Sequence, residues 1–172
     1  VFTIQPSRFL VTQPTRDEFY ESQISWYPPV SWINRHLRFD DKVLTMIRSY
    51  EYLSEIPHYY AHRYTESGIN LLPGSYDLER FWKQLNELQI NHILSWPESI
   101  IISSQGQNQQ TDLLNNYLKS LLVLKCVSPV RTFSMKKFNS RTFTSYRPSG
   151  GKSTLFRLVR SGCKINSLKH KN

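Results

Sequence analysis

The stretch Pro148-Ser-Gly-Gly-Lys-Ser-Thr-Leu-Phe156 comes nearest to a phosphate-binding loop, with glycines beside a lysine and a hydroxyl pair. That chemistry needs a glycine six residues before the lysine, so that backbone N–H groups can wrap an anion. The position is occupied by Tyr146. A carboxylate must also follow to hold a magnesium ion, yet the 20 residues after Lys152 include neither Asp nor Glu. The stretch reads instead as a hairpin turn. His58 and His62 are spaced to share one face of a helix, as zinc ligands do. Pro57-His-Tyr-Tyr-Ala-His62 has no glutamate between them and no third ligand in view, so aromatic packing near the surface is expected. Asp40 and Asp41 resemble an acid pair, but neighbours on a strand point to opposite faces, and a turn or strand entry explains them better. No Gly-x-Ser-x-Gly elbow exists, neither Cys126 nor Cys163 has a histidine-paired context, and no Gly-x-Gly-x-x-Gly follows the first strand candidate. No catalytic residue, metal site or cofactor is expected.

A different pattern occupies the last third, where Arg131, Phe133, Lys136, Lys137, Phe138, Arg141, Phe143, Tyr146 and Arg147 interleave cations with aromatic rings. Such a segment can track phosphates and stack bases, or can form a hairpin with a solvated basic face. The wider charge distribution sharpens the point. All 13 acids lie between Asp17 and Asp112, whereas 12 of the 22 bases lie beyond residue 120. The net charge of +9 is thus a mildly acidic body with an acid-free basic third, which calls for an anionic partner.

The elements that must position these residues follow from punctuation and period. Residues 1–26 contain Pro6 and Pro14 and read as a linker or entry segment, with Thr15 offering an N-cap for one or two helical turns. Pro28 and Pro29 suit a first helical turn, with Val30, Ile33 and Leu37 on one side. A strand is expected over Lys42–Ile47. A helix capped by Ser75 carries the stripe Leu78, Phe81, Trp82, Leu85 and Leu88. His92–Trp96 reads as a second strand, the region around Gly106 as a polar loop, and Thr111–Leu122 as a helix running into a third strand, Val123–Val127. Strands over 141–146 and 153–159 would form a hairpin around Arg147-Pro-Ser-Gly-Gly-Lys152. The alternation predicts an α/β fold: a small Rossmann-like sheet with flanking helices, closed by a C-terminal antiparallel edge hairpin. The domain is expected over 27–161, followed by a basic tail over 162–172.

No run of apolar residues is long enough to span a bilayer. Two cysteines are too few for a disulfide scaffold, although an oxidising compartment would permit one bridge. The start, Val1-Phe-Thr, suggests a piece of a longer protein or a processed chain.

The motifs occur in a telling order: Arg16-Asp-Glu-Phe-Tyr20, Trp26-Tyr-Pro-Pro-Val-Ser-Trp-Ile-Asn-Arg-His-Leu37, Asp40-Asp-Lys-Val-Leu44 and Arg48-Ser-Tyr-Glu-Tyr-Leu53. Phe81-Trp-Lys-Gln-Leu-Asn-Glu-Leu-Gln-Ile-Asn-His-Ile-Leu94, Ser140-Arg-Thr-Phe143 and Thr154-Leu-Phe-Arg-Leu158 complete it. Over residues 16–159 this order resembles the soluble C-terminal region of bacterial multi-spanning glycosyltransferases of the GT-C class, relatives of the dolichyl-phosphate-mannose protein mannosyltransferases. The resemblance implies an accessory domain that follows the last membrane helix and folds on the extracytoplasmic (periplasmic) face. The enzyme would use a polyprenyl-phosphate-linked sugar donor, with its catalytic carboxylate among membrane helices outside this chain. Implied partners are that transmembrane region, the membrane surface or a lipid-linked sugar phosphate, and a glycan or protein acceptor. Acceptor recognition or gating would be its task.

Open α/β sheets bind ligands at the carboxyl ends of their strands, which makes Arg48, Tyr50 and Tyr52 the ligand-binding candidates. Lys136, Lys137, Arg141, Arg147 and Lys152 would form a basic face toward headgroups or a polyprenyl phosphate. The alternative is a stand-alone basic nucleic-acid-binding or ribonucleoprotein component, cytoplasmic or organellar, which steeply salt-dependent binding would reveal.

Overall fold

The computed structural model describes residues 15–24, 26–46, 50, 52–61, 69, 76–95, 105–135 and 151–165, and the side chains of all these except 105–112. The entry segment contributes a helix, α1 (Arg16–Gln23), because Thr15 and Glu18 close a capping box. The Thr15 hydroxyl accepts from the Glu18 amide at 3.3 Å, and the Glu18 carboxylate accepts from the Thr15 amide at 2.8 Å. Helix α2 (Tyr27–His36) starts on the two prolines and buries Val30 and Ile33. Asp17 joins the two helices, accepting a hydrogen bond from the Tyr27 hydroxyl at 2.6 Å and pairing with Arg35.

Strand β1 (Val43–Thr45) is followed by β2 (His58–Tyr60), α3 (Leu78–Glu87), β3 (His92–Leu94), α4 (Gln105–Val123), β4 (Val127–Ser134) and β5 (Lys152–Leu158). They form a five-stranded mixed sheet in the order β2-β1-β3-β5-β4. β1 is parallel to both β2 and β3, and β5 is antiparallel to both β3 and β4. The α/β class is thus as expected, with helices on both faces of the sheet.

Pairing assigns those faces. Val43, His58, His92, Leu94, Leu155 and Phe133 share one face, and Leu44, Tyr59, Ile93 and Phe156 share the other. Trp32 of α2 meets Phe133 edge-on at 5.9 Å, so α2 covers the first face. The Lys42 ammonium lies over the Tyr59 ring and donates to the Leu88 carbonyl at 3.1 Å, which sets the end of α3 on the second. α3 and α4 are joined by the Phe81 and Tyr117 rings, stacked 4.3 Å apart.

Several boundaries depart from expectation. α3 is capped by Asp77, whose carboxylate accepts from the Arg80 amide at 2.9 Å, and Ser75 lies outside the described residues. α4 begins at Gln105 and takes in the region around Gly106 that reads as a polar loop, because a glycine in a first turn costs a helix little. The strand expected over Val123–Val127 is instead the end of α4 and a turn, and β4 starts where that strand was to end. The antiparallel hairpin pairs β4 with β5, so its first strand is Val127–Ser134, and the strand expected over 141–146 lies outside the described residues. β2 went unforeseen.

Both α3 and α4 end in the same six-residue closure. The Ile90 amide donates to the Leu85 carbonyl at 2.9 Å and the Gln89 amide to the Asn86 carbonyl at 3.0 Å. The Cys126 amide donates to the Leu121 carbonyl at 2.8 Å and the Lys125 amide to the Leu122 carbonyl at 3.0 Å. This geometry requires a left-handed residue, supplied by Gln89 and Lys125, both at φ 57°.

Candidate binding edge of the sheet

The three parallel strands end together at Thr45, Tyr60 and Leu94. β1 lies between β2 and β3, and its two neighbours are reached across opposite faces. The β1–β2 connection runs along the α2 face, where Asn34 accepts from the Glu55 amide and donates to the Leu53 carbonyl, both at 2.9 Å. The β2–β3 connection contains α3, on the other face. A central strand whose neighbours leave on opposite faces is a switch point, and the crevice outside its carboxyl end is the natural ligand position of such sheets.

β5 enters at this same edge. The Ser153 hydroxyl donates to the Ser95 carbonyl at 2.6 Å, and the Thr154 amide donates to the Ser95 hydroxyl at 2.8 Å. The Met135 amide donates to the Gly151 carbonyl at 2.8 Å, closing the last rung between β4 and β5. β4 therefore ends, and β5 begins, at the carboxyl edge of the parallel strands, with residues 136–150 between them in the chain. Those 15 residues carry Lys136, Lys137, Arg141 and Arg147 and no acid. The four side chains themselves lie outside the described residues, whereas Lys152, at the start of β5, is exposed on this edge. A cation such as Lys152 at the edge of a switch point can meet an anionic group.

Of the three ligand-binding candidates, Tyr50 and Tyr52 fall among the described residues. Arg48 lies outside the described residues. Tyr50 is fully buried, with its ring edge-on to His58 at 5.2 Å, at the amino end of β2. Its hydroxyl has no hydrogen-bond partner among the described residues, and burial pushes the phenol up to about 12, with the nearby Ser54 opposing the shift. The chain after β1 must return to the start of β2, and Tyr50 packs under that return, so it is a core residue and not a surface one. Tyr52 is 79% exposed. His58 lies on a strand and contacts Tyr50, and His62 lies outside the described residues, so the helical pairing does not arise.

At the opposite edge sits a polar cluster that no sequence signal announced. Asn91 donates to an Asp41 carboxylate oxygen at 2.7 Å and accepts from the Lys42 amide at 2.7 Å. His92 is buried, with Nδ1 3.2 Å from the Asn91 carbonyl oxygen and 3.7 Å from Asp41. Burial pushes the imidazole below its ordinary value, Asp41 opposes the shift and Arg157 adds to it. Asp41 is a strand-entry residue, as read, and Asp40 pairs with Arg38 at 3.1 Å in the exposed turn. Among the described residues, no group of three or more His, Cys, Asp or Glu is placed to hold a metal ion, and no helix is long and apolar enough to cross a membrane. Cys126 and Cys163 form a disulfide, and Ile165 beyond it is buried, which ties the start of the C-terminal segment to the sheet.

No family model matches the chain, and no curated protein matches it. Among solved structures, the C-terminal globular domain of an oligosaccharyltransferase from Archaeoglobus fulgidus aligns with a TM-score of 0.42 and 11% identity. The alignment covers 79% of this chain and 97% of that one. At that score and identity the likeness decides neither fold nor function.

Proposed function

We propose that this chain is the accessory domain of a membrane glycosyltransferase that uses a polyprenyl-phosphate-linked sugar donor. In this reading it lies on the extracytoplasmic side and binds an anionic sugar-phosphate or glycan group at the carboxyl edge of its parallel strands. The ordered motifs from Arg16 to Leu158 support the class of enzyme. One structural observation carries the site: the acid-free segment 136–150 is rooted, through Met135, Gly151 and Ser153, at the edge where β1 is the switch point. The Cys126–Cys163 disulfide fits an oxidising compartment. Catalysis of glycosyl transfer belongs, in this reading, to a part of the enzyme outside this chain.

Calorimetric titration of the chain with a short-chain polyprenyl-phosphate sugar, a soluble sugar phosphate, a neutral glycan and a generic RNA tests the proposal. Saturable binding of a phosphorylated sugar, weakened about threefold or more by Lys152→Glu, is the expected result. A neutral glycan that bound equally well would show that the cations play no part. Tight, steeply salt-sensitive binding of the RNA, with no response to the sugars, would replace this reading with the nucleic-acid one.

A further inference from the structure

The end of α4 carries two apolar side chains that the fold does not use. Leu113, Leu114, Tyr117, Leu118 and Leu121 face the core, whereas Leu122 is 39% and Val123 is 82% exposed. A β-branched residue held in solvent on the last helical position is slightly disfavoured by helix propensity. Around it the chain turns sharply at Lys125, and the 161–162 turn is held alongside by the Cys126–Cys163 disulfide and by the Lys164 amide, which donates to the Leu124 carbonyl at 3.3 Å. Lys119, one helical turn before Val123, is exposed, as are Lys125 and Lys164. Neither Lys119 nor Lys125 meets a carboxylate within 4.0 Å among the described residues. No acid occurs between residue 113 and the end of the chain. The tip therefore presents two apolar side chains between the exposed Lys119 and Lys125.

We propose that this tip docks on an anionic lipid surface, with Leu122 and Val123 entering the headgroup layer and Lys119 and Lys125 meeting lipid phosphates. Two properties select a bilayer over a folded partner. The apolar part is two residues, smaller than the contiguous patch a stable protein interface buries. The two lysines on α4 and the turn after it, Lys119 and Lys125, carry charge complementary to a negative membrane surface and repelled by a second copy of itself. The tip lies at the amino edge of the parallel strands, beside the start of β4, so it is separate from the candidate binding edge.

Flotation of the chain with phosphatidylcholine vesicles, with and without about one third phosphatidylglycerol, tests the proposal. Recovery with the anionic vesicles should be at least about fivefold higher and should fall as salt is raised. Val123→Asp should lower it about fivefold without changing the thermal midpoint, because the side chain is exposed, and Lys119→Glu should act likewise. Lys152→Glu, at the other edge, should leave it unchanged. Equal recovery from neutral and anionic vesicles, or no loss with Val123→Asp, would overturn the proposal. So would a concentration-dependent dimer abolished by Val123→Asp, since the tip would then be a contact between copies. Loss of sugar-phosphate binding with vesicle binding intact would count against the proposed function alone.

Discussion

Burial favours the neutral form of His92 in the folded chain, since the imidazole has little water to stabilise its charged form and Arg157 adds to the penalty while Asp41 opposes it. The unfolded imidazole takes up a proton as pH falls through its ordinary value near 6.5, and the folded one resists until lower pH. The stability contributed is complete above that ordinary value and is lost as pH falls from it toward the depressed folded value. Urea midpoints at about pH 7.5 and 5.5 should show the wild-type chain weaker at the lower value, and His92→Gln should shrink the difference. Equal midpoints for the wild-type chain would contradict the assignment. Asp17 works in the same direction but lower on the scale. Its hydrogen bond from Tyr27 and its pairing with Arg35 hold it below the ordinary 3.8, so it does not mask the histidine. None of this was visible in Asn91-His92, because burial arises from the position of β3 in the middle of the sheet. Tyr50 misled for the converse reason. Its sequence neighbours Arg48 and Tyr52 suggest a polar surface, and only the return of the chain to β2 puts its ring in the core.

The helices were largely legible because their ends carry side-chain signals. Thr15 with Glu18, the prolines of α2, and the stripe through Phe81, Trp82 and Leu85 all work within a few residues. The strands were less so. β2 is three residues long and only partly buried, and register with β1 alone makes His58–Tyr60 a strand. The junction of α4 and β4 was misplaced because Leu121-Leu-Val-Leu124 suits either period, and because the residue that stops the helix is a lysine where a glycine would have announced the turn. The same reasoning predicts a stabilising change. Gln89 holds a left-handed conformation that glycine adopts without strain, and its side chain accepts a 3.3 Å hydrogen bond from the Lys42 ammonium. Gln89→Gly should raise unfolding free energy by about 0.5–1 kcal/mol, read as a higher urea midpoint at unchanged slope. A lower midpoint would mean that the closure of α3 is not limited by this residue.

At the scale of the molecule, the disulfide and the sheet divide the labour. Cys126 and Cys163 close a loop with a sequence separation of 37, and in the chain-entropy account such a loop stabilises the fold by about 4 kcal/mol. The double substitution Cys126→Ala with Cys163→Ala should therefore lower unfolding free energy by roughly 2–4 kcal/mol, and reductant should do the same to the wild-type chain. An unchanged midpoint in reductant would show that β4 and β5 hold the C-terminal segment without it. The charge asymmetry of the sequence also takes a spatial meaning here. Its basic third is distributed to both edges: Lys125 and Lys164 at the amino edge, Lys152 and the root of segment 136–150 at the carboxyl edge. Whether the carboxyl edge binds the anionic group of a phosphorylated sugar is the central question, and amide chemical shifts in the isotope-labelled chain answer it most directly. Titration with a short-chain polyprenyl-phosphate sugar should produce saturable shifts concentrated at Thr45, Ser95, Lys152 and Ser153, with His92 and Val123 unmoved. Shifts scattered over both edges, or none at all, would contradict the account.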